Sequence, residues 1–329
     1  MLLDDFITSQ GTNCILGSAF NALRYLGIDI REEDLFFWFC SFEGDKEGSD
    51  LLKKMYRAKE ECDWKSFLMR NINLHQPVLA KVNPKILPYL RASVDDQYAC
   101  HYINILGIDE ETEQIYVSDS YIPTYAPSTY EGWINYKNID DADIKSCWCL
   151  REEIIRFFKD NCPLIAMREM TRLCIIRRLS AFLCSNIDRN ENCFGVLSET
   201  ILYSVNNKNY TEIYWLLAGL QLNIINPLKY LDVTLLQMSN DDRWHLKINS
   251  FLKEYWGSLY FKLMKFALAH KKVDAKLMLE QITEAGQREI YLLIEILIDM
   301  LADTNLFNSA SISAKLIDAL NESMGRVDD

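Results

Sequence analysis

Positive charge is in short supply in this chain: 35 Lys and Arg stand against 47 Asp and Glu, a formal net charge of −12 over 329 residues. Such a surface repels nucleic acid and anionic lipid, so neither is expected as a partner. Long apolar runs are missing as well. No stretch of about 18 or more consecutive apolar residues occurs. The first residues, Met1-Leu-Leu-Asp-Asp-Phe6, also lack the basic region and apolar core of a secretion signal, so a cytoplasmic protein is expected. In that compartment the ten cysteines read as free thiols rather than a disulfide framework. Metal-binding spacing is absent: Cys147-Trp-Cys149 has a single intervening residue and no second Cys/His pair beside it, so no metal is expected. There is no repeat of fixed period and no low-complexity segment.

What is present is apolar residue, 49% of the chain, enough to fill two cores. Residues 14–26 have helical apolar spacing, interrupted by Asn21 and Arg24 and stopped by Gly27. A second helix is expected from Glu32, carrying Leu35, Phe36, Trp38 and Phe39. After a turn at Gly44–Gly48, Ser49 or Asp50 can cap a helix through Leu51–Ala58. The segment Gln76–Asn83 is short, branched and bounded by prolines, so it reads as a buried strand; residues 101–108 and 114–118 read as two more, joined by a turn at 109–113. The acidic stretch Asn138–Asp143 opens a helix or marks a boundary. From about residue 151 the class changes. Glu152–Lys159, Leu164–Asn186, Tyr210–Leu222, Trp244–His270 and Glu289–Ala302 all have helical periodicity, and only Pro163 and Pro227 interrupt, where helices begin. The expectation is an α+β domain over 1–150 followed by an all-helical domain over 151–329.

Cys14 sits in Gln10-Gly-Thr-Asn-Cys14-Ile-Leu-Gly-Ser-Ala-Phe-Asn21, where turn-prone residues give way to a helix. Unpaired backbone N–H groups and the dipole at a helix start stabilise an ionised sulfur. A nucleophilic thiolate also needs a base, and the base needs a third group to fix its orientation. Downstream, His101 opens one strand and Asp119 closes the next, so an antiparallel pairing brings both to one edge, provided they share a face. Cys14, His101 and Asp119 are the candidate catalytic residues. Each alone fits a plain structural role: a packed cysteine, a satisfied histidine, a turn aspartate. The other histidines, His75, His245 and His270, lie in a loop or in the helical half without an aspartate-ended strand.

The words Asn13-Cys14 through Asn21, Tyr25 and Gly27, then Gln76-Pro-Val-Leu-Ala-Lys-Val-Asn-Pro-Lys-Ile-Leu-Pro88-Tyr89, His101-Tyr-Ile-Asn-Ile-Leu-Gly107 and Tyr116-Val-Ser-Asp119, together resemble the papain-like domain of the butirosin biosynthesis protein H family. The chain looks more distantly like the double-glycine leader peptidases of bacteriocin exporters. The match covers about residues 10–135. The resemblance implies a papain-like cysteine-protease fold, a helix bearing the nucleophile packed on an antiparallel sheet, with Cys14 as acyl acceptor, His101 as general base and acid, and Asp119 as its orienter. It implies acyl transfer in natural-product biosynthesis, from a thioester on the phosphopantetheine arm of an acyl or peptidyl carrier protein to a small amine, a diamine among the candidates. The amide-forming cysteine-protease homologue of closthioamide assembly is a neighbouring precedent. No bound cofactor is implied. Papain-like enzymes often add a glutamine before the cysteine to stabilise the oxyanion; Gln10 is the candidate, closer than in many relatives, with the Cys14 N–H as the other donor and Asn13 as a substitute.

Three readings remain open on the residues: an amide-forming transferase, a peptidase or thioesterase using water, and a non-catalytic binding module. An amide-forming site must exclude water. In the helical half Trp215, Trp244, Tyr255, Trp256, Tyr260 and Phe261 offer a cover or, equally, ordinary core. An acidic carrier needs a local basic face, for which Arg168, Arg172, Arg177 and Arg178 are the candidate.

Overall fold

The computed structural model describes residues 1–40, 49–58, 63–90, 100–122, 128–136, 144–161, 164–188, 195–238, 242–270 and 273–302. The expected turn at Gly44–Gly48, the acidic stretch 138–143 and Pro163 lie outside them. The described residues form two compact units, the first drawing on Met1–Leu35 and Lys46–Leu164, the second on Phe36–Asp45 and Ile165–Ala314.

The first unit is mixed α+β. Helix α1 (Cys14–Tyr25) is capped by the Asn13 side chain, which accepts from the Leu16 N–H. It ends where Gly27 takes φ +79° and the Ile28 and Gly27 N–H groups return to the Leu23 and Arg24 carbonyls, the paired bonds of a Schellman stop. Helix α2 (Glu32–Phe39) begins in the first unit and ends in the second, and α3 (Ser49–Met55) follows in the first. Helix α3 stops three residues short of the expected end. Tyr56–Ala58 instead form strand β1, drawn into register with 148–150 and fastened by Arg151, whose guanidinium donates to the Tyr56 and Lys53 carbonyls.

Helix α4 (Trp64–Asn73), capped by Asp63, precedes β2 (Val78–Val82), β3 (His101–Asp109), β4 (Gln114–Ile122), β5 (Ser128–Asn135), β6 (Ile144–Leu150) and α5 (Glu152–Asn161). The six strands form one antiparallel sheet in the order β1-β6-β2-β3-β4-β5. Strand alternation sends Val78, Ala80, Val82, Ile103, Ile105, Cys147 and Cys149 into a core with Trp64, Phe67, Leu68 and Ile72 of α4. Helix α1 packs on β3 and β4 through residues of the other parity, Asn104, Ser118 and Ser120 among them. The sheet is thus covered on both faces, which is why β3 is buried from His101 to Ile108.

The second unit is largely helical: α6 (Leu164–Asp188), α7 (Gly195–Asn206), α8 (Tyr210–Leu220), α9 (Asn226–Met238), α10 (Arg243–Glu254), α11 (Trp256–Ala269) and α12 (Ala275–Ala302). Pro227 stands in the first turn of α9, after a π-helical turn at Gln221–Ile225. The expected helix over 244–270 is two, broken at Tyr255, where ψ of −82° leaves the helical region. No described helix is long and apolar enough to cross a membrane. Trp244 and Trp256 are core residues, and Phe261 is exposed.

One core residue is a carboxylic acid. Glu289 on α12 is buried, and its Oε2 accepts from Trp256 Nε1 at 2.7 Å. Burial pushes its pKa up to about 8; the indole donor offsets only part of that. Because the folded value lies above the unfolded one, the neutral acid's contribution is complete below pH ~4.5 and is lost as pH rises through about 8. Glu289→Gln keeps the acceptor and removes the proton, so it should match the wild type in denaturant melts at pH 4 and exceed it at pH 9, by on the order of a few kcal/mol.

Candidate active site

Cys14 stands at the first position of α1, where backbone N–H groups have no helical partner. Three contacts seat this helix tip. Asn104 of β3 donates to the Ser18 carbonyl at 2.9 Å. Gly17 lies so close to β4 that a Cβ there would meet Ser120 Oγ at 2.5 Å and the Gly11 Cα at 3.0 Å. Asn21, buried one turn further on, exchanges bonds with Ser9: its amide donates to the Ser9 carbonyl and its Oδ1 accepts the Ser9 N–H, both at 2.9 Å. The loop before Cys14 is pinned along its length, with Gly11 N–H donating to the Ser120 carbonyl and Thr12 N–H donating to the Glu32 carboxylate.

His101 and Asp119 meet by register. Asn104 pairs with Ser118 and Ile105 with Val117, so Asp119 shares a face with Ile103 and, two residues along, with His101. His101 Nε2 lies 2.7 Å from Asp119 Oδ2, with both residues buried. Asp119 does not end its strand, as the sequence pattern implied. β4 runs on to Ile122, with a register shift between Asp119 and Ile122. That irregularity lets the Tyr121 N–H donate to Asp119 Oδ1 at 3.0 Å, and the carboxylate is held from both oxygens.

The Cys14 sulfur is within hydrogen-bonding and electrostatic reach of the His101 ring. With Nε2 committed to Asp119, the nitrogen that faces sulfur is Nδ1. Burial by itself depresses the imidazolium, but the Asp119 carboxylate, by charge and hydrogen bond, and Cys14 outweigh it and carry the His101 pKa up to about 10. That direction favours the protonated ring. A half-buried cysteine at a helix start, beside the buried His101–Asp119 pair, has the surroundings of a reactive thiol.

No family model matches this chain, and no curated protein matches it.

Of the sequence candidates, Cys14, His101 and Asp119 converge in one line. Gln10 is exposed in the loop four residues before Cys14, and Asn13 uses its side-chain oxygen in the helix cap. The other histidines stand apart. His75 and His270 occupy left-handed turns, φ 55° and 50°, and His270 packs edge-on against Tyr210. His245 does have a carboxylate partner that strand-based reasoning missed: Asp232 of α9, one helix away, at 2.9 Å. Among the described residues no group of three His, Cys, Asp or Glu side chains is placed to hold a metal. Four residues that build the site were not singled out from sequence: Gly11, Gly17, Ser120 and Tyr121. Asn21 showed as a polar interruption on an apolar helix face, the available sign of a buried hydrogen-bonding role.

Gly17→Ala tests the seating of α1. Alanine favours helix by about 1 kcal/mol, yet the added methyl meets Ser120, and overpacking costs about 1–3 kcal/mol. The variant should melt lower, and iodoacetamide should label Cys14 about tenfold more slowly or worse, as small misplacements of reacting groups allow. Adding Ser120→Gly should restore both.

Proposed function

We propose that this protein is a thiol-dependent acyltransferase with a papain-like catalytic unit, forming amides from a carrier-bound thioester. The observation that carries the reading is the buried Asp119–His101 pair aimed at Cys14 on a helix start. The order of the three residues in the chain and the resemblance to the butirosin biosynthesis protein H family support it.

In this scheme the Cys14 thiolate attacks the thioester carbonyl. The tetrahedral oxyanion faces the Cys14 N–H, with Gln10 as a second donor once substrate draws it in. Collapse breaks the bond to the phosphopantetheine sulfur, which leaves with the proton held on His101, and acyl-S-Cys14 remains. An amine then attacks that carbonyl while His101 takes its proton. The amide departs and the Cys14 thiolate and His101 imidazolium are restored. Asp119 holds the ring's orientation throughout. If water replaces the amine, the same residues give a thioesterase or peptidase.

Of the candidate docking arginines, Arg178 donates to the Phe37 carbonyl and Arg172 to the Met300 carbonyl, so both serve the fold of the second unit. Arg168 and Arg177 are exposed and remain available to an acidic carrier.

Intact-mass analysis after incubation with acyl carrier proteins should show a single acyl adduct that Cys14→Ala abolishes and Asp119→Asn slows by orders of magnitude. Absence of any Cys14 adduct with carrier-bound and small thioesters alike contradicts acyl transfer. Arg168→Glu with Arg177→Glu should slow acylation by the carrier-bound donor and spare a small thioester; equal slowing of both rejects docking at these arginines.

A further inference from the structure

The face of the sheet that carries His101 and Asp119 carries more than these two residues. Asp119 of β4 pairs in register with Tyr130 of β5, so the Tyr130 ring lies beside the carboxylate on the same face. Tyr89, three residues beyond the short 3-10 turn Pro84–Ile86 that follows β2, lays its ring on Tyr130 with centroids 3.8 Å apart and planes 14° from parallel. The Tyr89 hydroxyl is buried and has no hydrogen-bond partner, and burial together with the nearby Asp119 charge pushes its pKa well above the ordinary tyrosine value. A buried hydroxyl left unpaired costs about 1–3 kcal/mol. The adjacent acceptor is a buried anion that takes two donors, the His101 ring and the Tyr121 N–H, and has lone pairs to spare.

We propose that Tyr89 is a positioning residue of the site: stacked on Tyr130, it donates its hydroxyl to Asp119 and fixes the carboxylate that orients and charges His101. It does not touch the reacting atoms. The Tyr121 N–H and Tyr89 O–H hold Asp119 from two directions, and Oδ2 is left aimed at the ring. The ring stack closes the carboxylate's surroundings to water, which keeps its attraction for the imidazolium strong. Without the hydroxyl the carboxylate turns more freely, His101 is held in a broader range of orientations, and Cys14 loses part of its ion-pair partner.

This inference rests on the reading of Cys14 as a nucleophile paired with His101, so the experiment includes a measurement that needs no chemistry. Tyr89→Phe keeps the stack and removes only the hydroxyl; Tyr89→Ala removes both. Iodoacetamide labelling of Cys14, followed by mass spectrometry across pH 6–9, reads the thiolate, and proton NMR of the low-field His101 Nε2–H resonance reads the bond to Asp119. For Tyr89→Phe the melting temperature should fall by no more than a few degrees, labelling at neutral pH should fall about 2- to 12-fold, the range of one net hydrogen bond, and the His101 resonance should broaden or vanish. Tyr89→Ala should lose more on both readouts. Wild-type labelling rate and an unchanged resonance in Tyr89→Phe overturn the proposal, as does a loss of labelling that only tracks a lowered melting temperature. If wild-type Cys14 labels no faster than an ordinary cysteine, the acyltransferase reading falls, and the NMR comparison still decides whether Tyr89 holds Asp119.

Discussion

The arrangement depends on one buried charge. Asp119 has no solvent exposure, and an isolated carboxylate in that position would cost more than the fold can supply. It is tolerated because His101 meets it at 2.7 Å as a cation and the Tyr121 N–H meets its other oxygen. The two partners depend on each other: a carboxylate kept from water binds the imidazolium strongly, and the imidazolium offsets the cost of burying the carboxylate. As a stability device such a pair is poor value, since an apolar pair of equal volume often serves as well. Its justification is the charged ring that it presents to Cys14.

Delivering the sulfur to that ring falls to α1, which buries Leu16 and Leu23 and whose tip is seated by small residues and amides. Gly17 and Gly11 let the helix tip sit against Ser120, Asn104 hooks the Ser18 carbonyl, and Asn21 fastens the preceding loop. The strand that presents Ser120 to Gly17 on one face presents Asp119 to His101 on the other. Consecutive residues of β4 thus seat the helix that carries Cys14 and orient His101. The irregularity after Asp119 frees the backbone N–H that the carboxylate takes. The second unit has its own buried acid in Glu289, whose pKa burial pushes up to about 8.

Much of this was legible in the chain because it rests on local patterns. The α1 boundaries follow from the turn-prone residues before Cys14 and from Gly27, the buried β2 from its branched residues, and the places of Cys14, His101 and Asp119 from a helix start and two strand-like segments. What was hidden depends on pairing between distant segments. Tyr56–Ala58 continue a helical pattern locally and become strand only because 148–150 lie alongside. Asp119 looked like a strand end because aspartate disfavours strands, yet pairing with Tyr130 carries β4 past it. The break at Tyr255 and the Asp232–His245 contact likewise need the three-dimensional neighbour to be seen. The packing of Gly17 against Ser120 leaves no periodic mark at all.

The central claim is that Asp119 keeps His101 charged beside Cys14, and nitrogen NMR of histidine-labelled protein measures it directly. With four histidines the His101 signal can be assigned by substitution. The account requires a ring that stays protonated at neutral pH and titrates far above the ordinary 6.5, towards about 10, in the wild type, and that falls steeply in Asp119→Asn. A His101 ring that titrates near 6.5 in the folded protein, indifferent to Asp119, would contradict it.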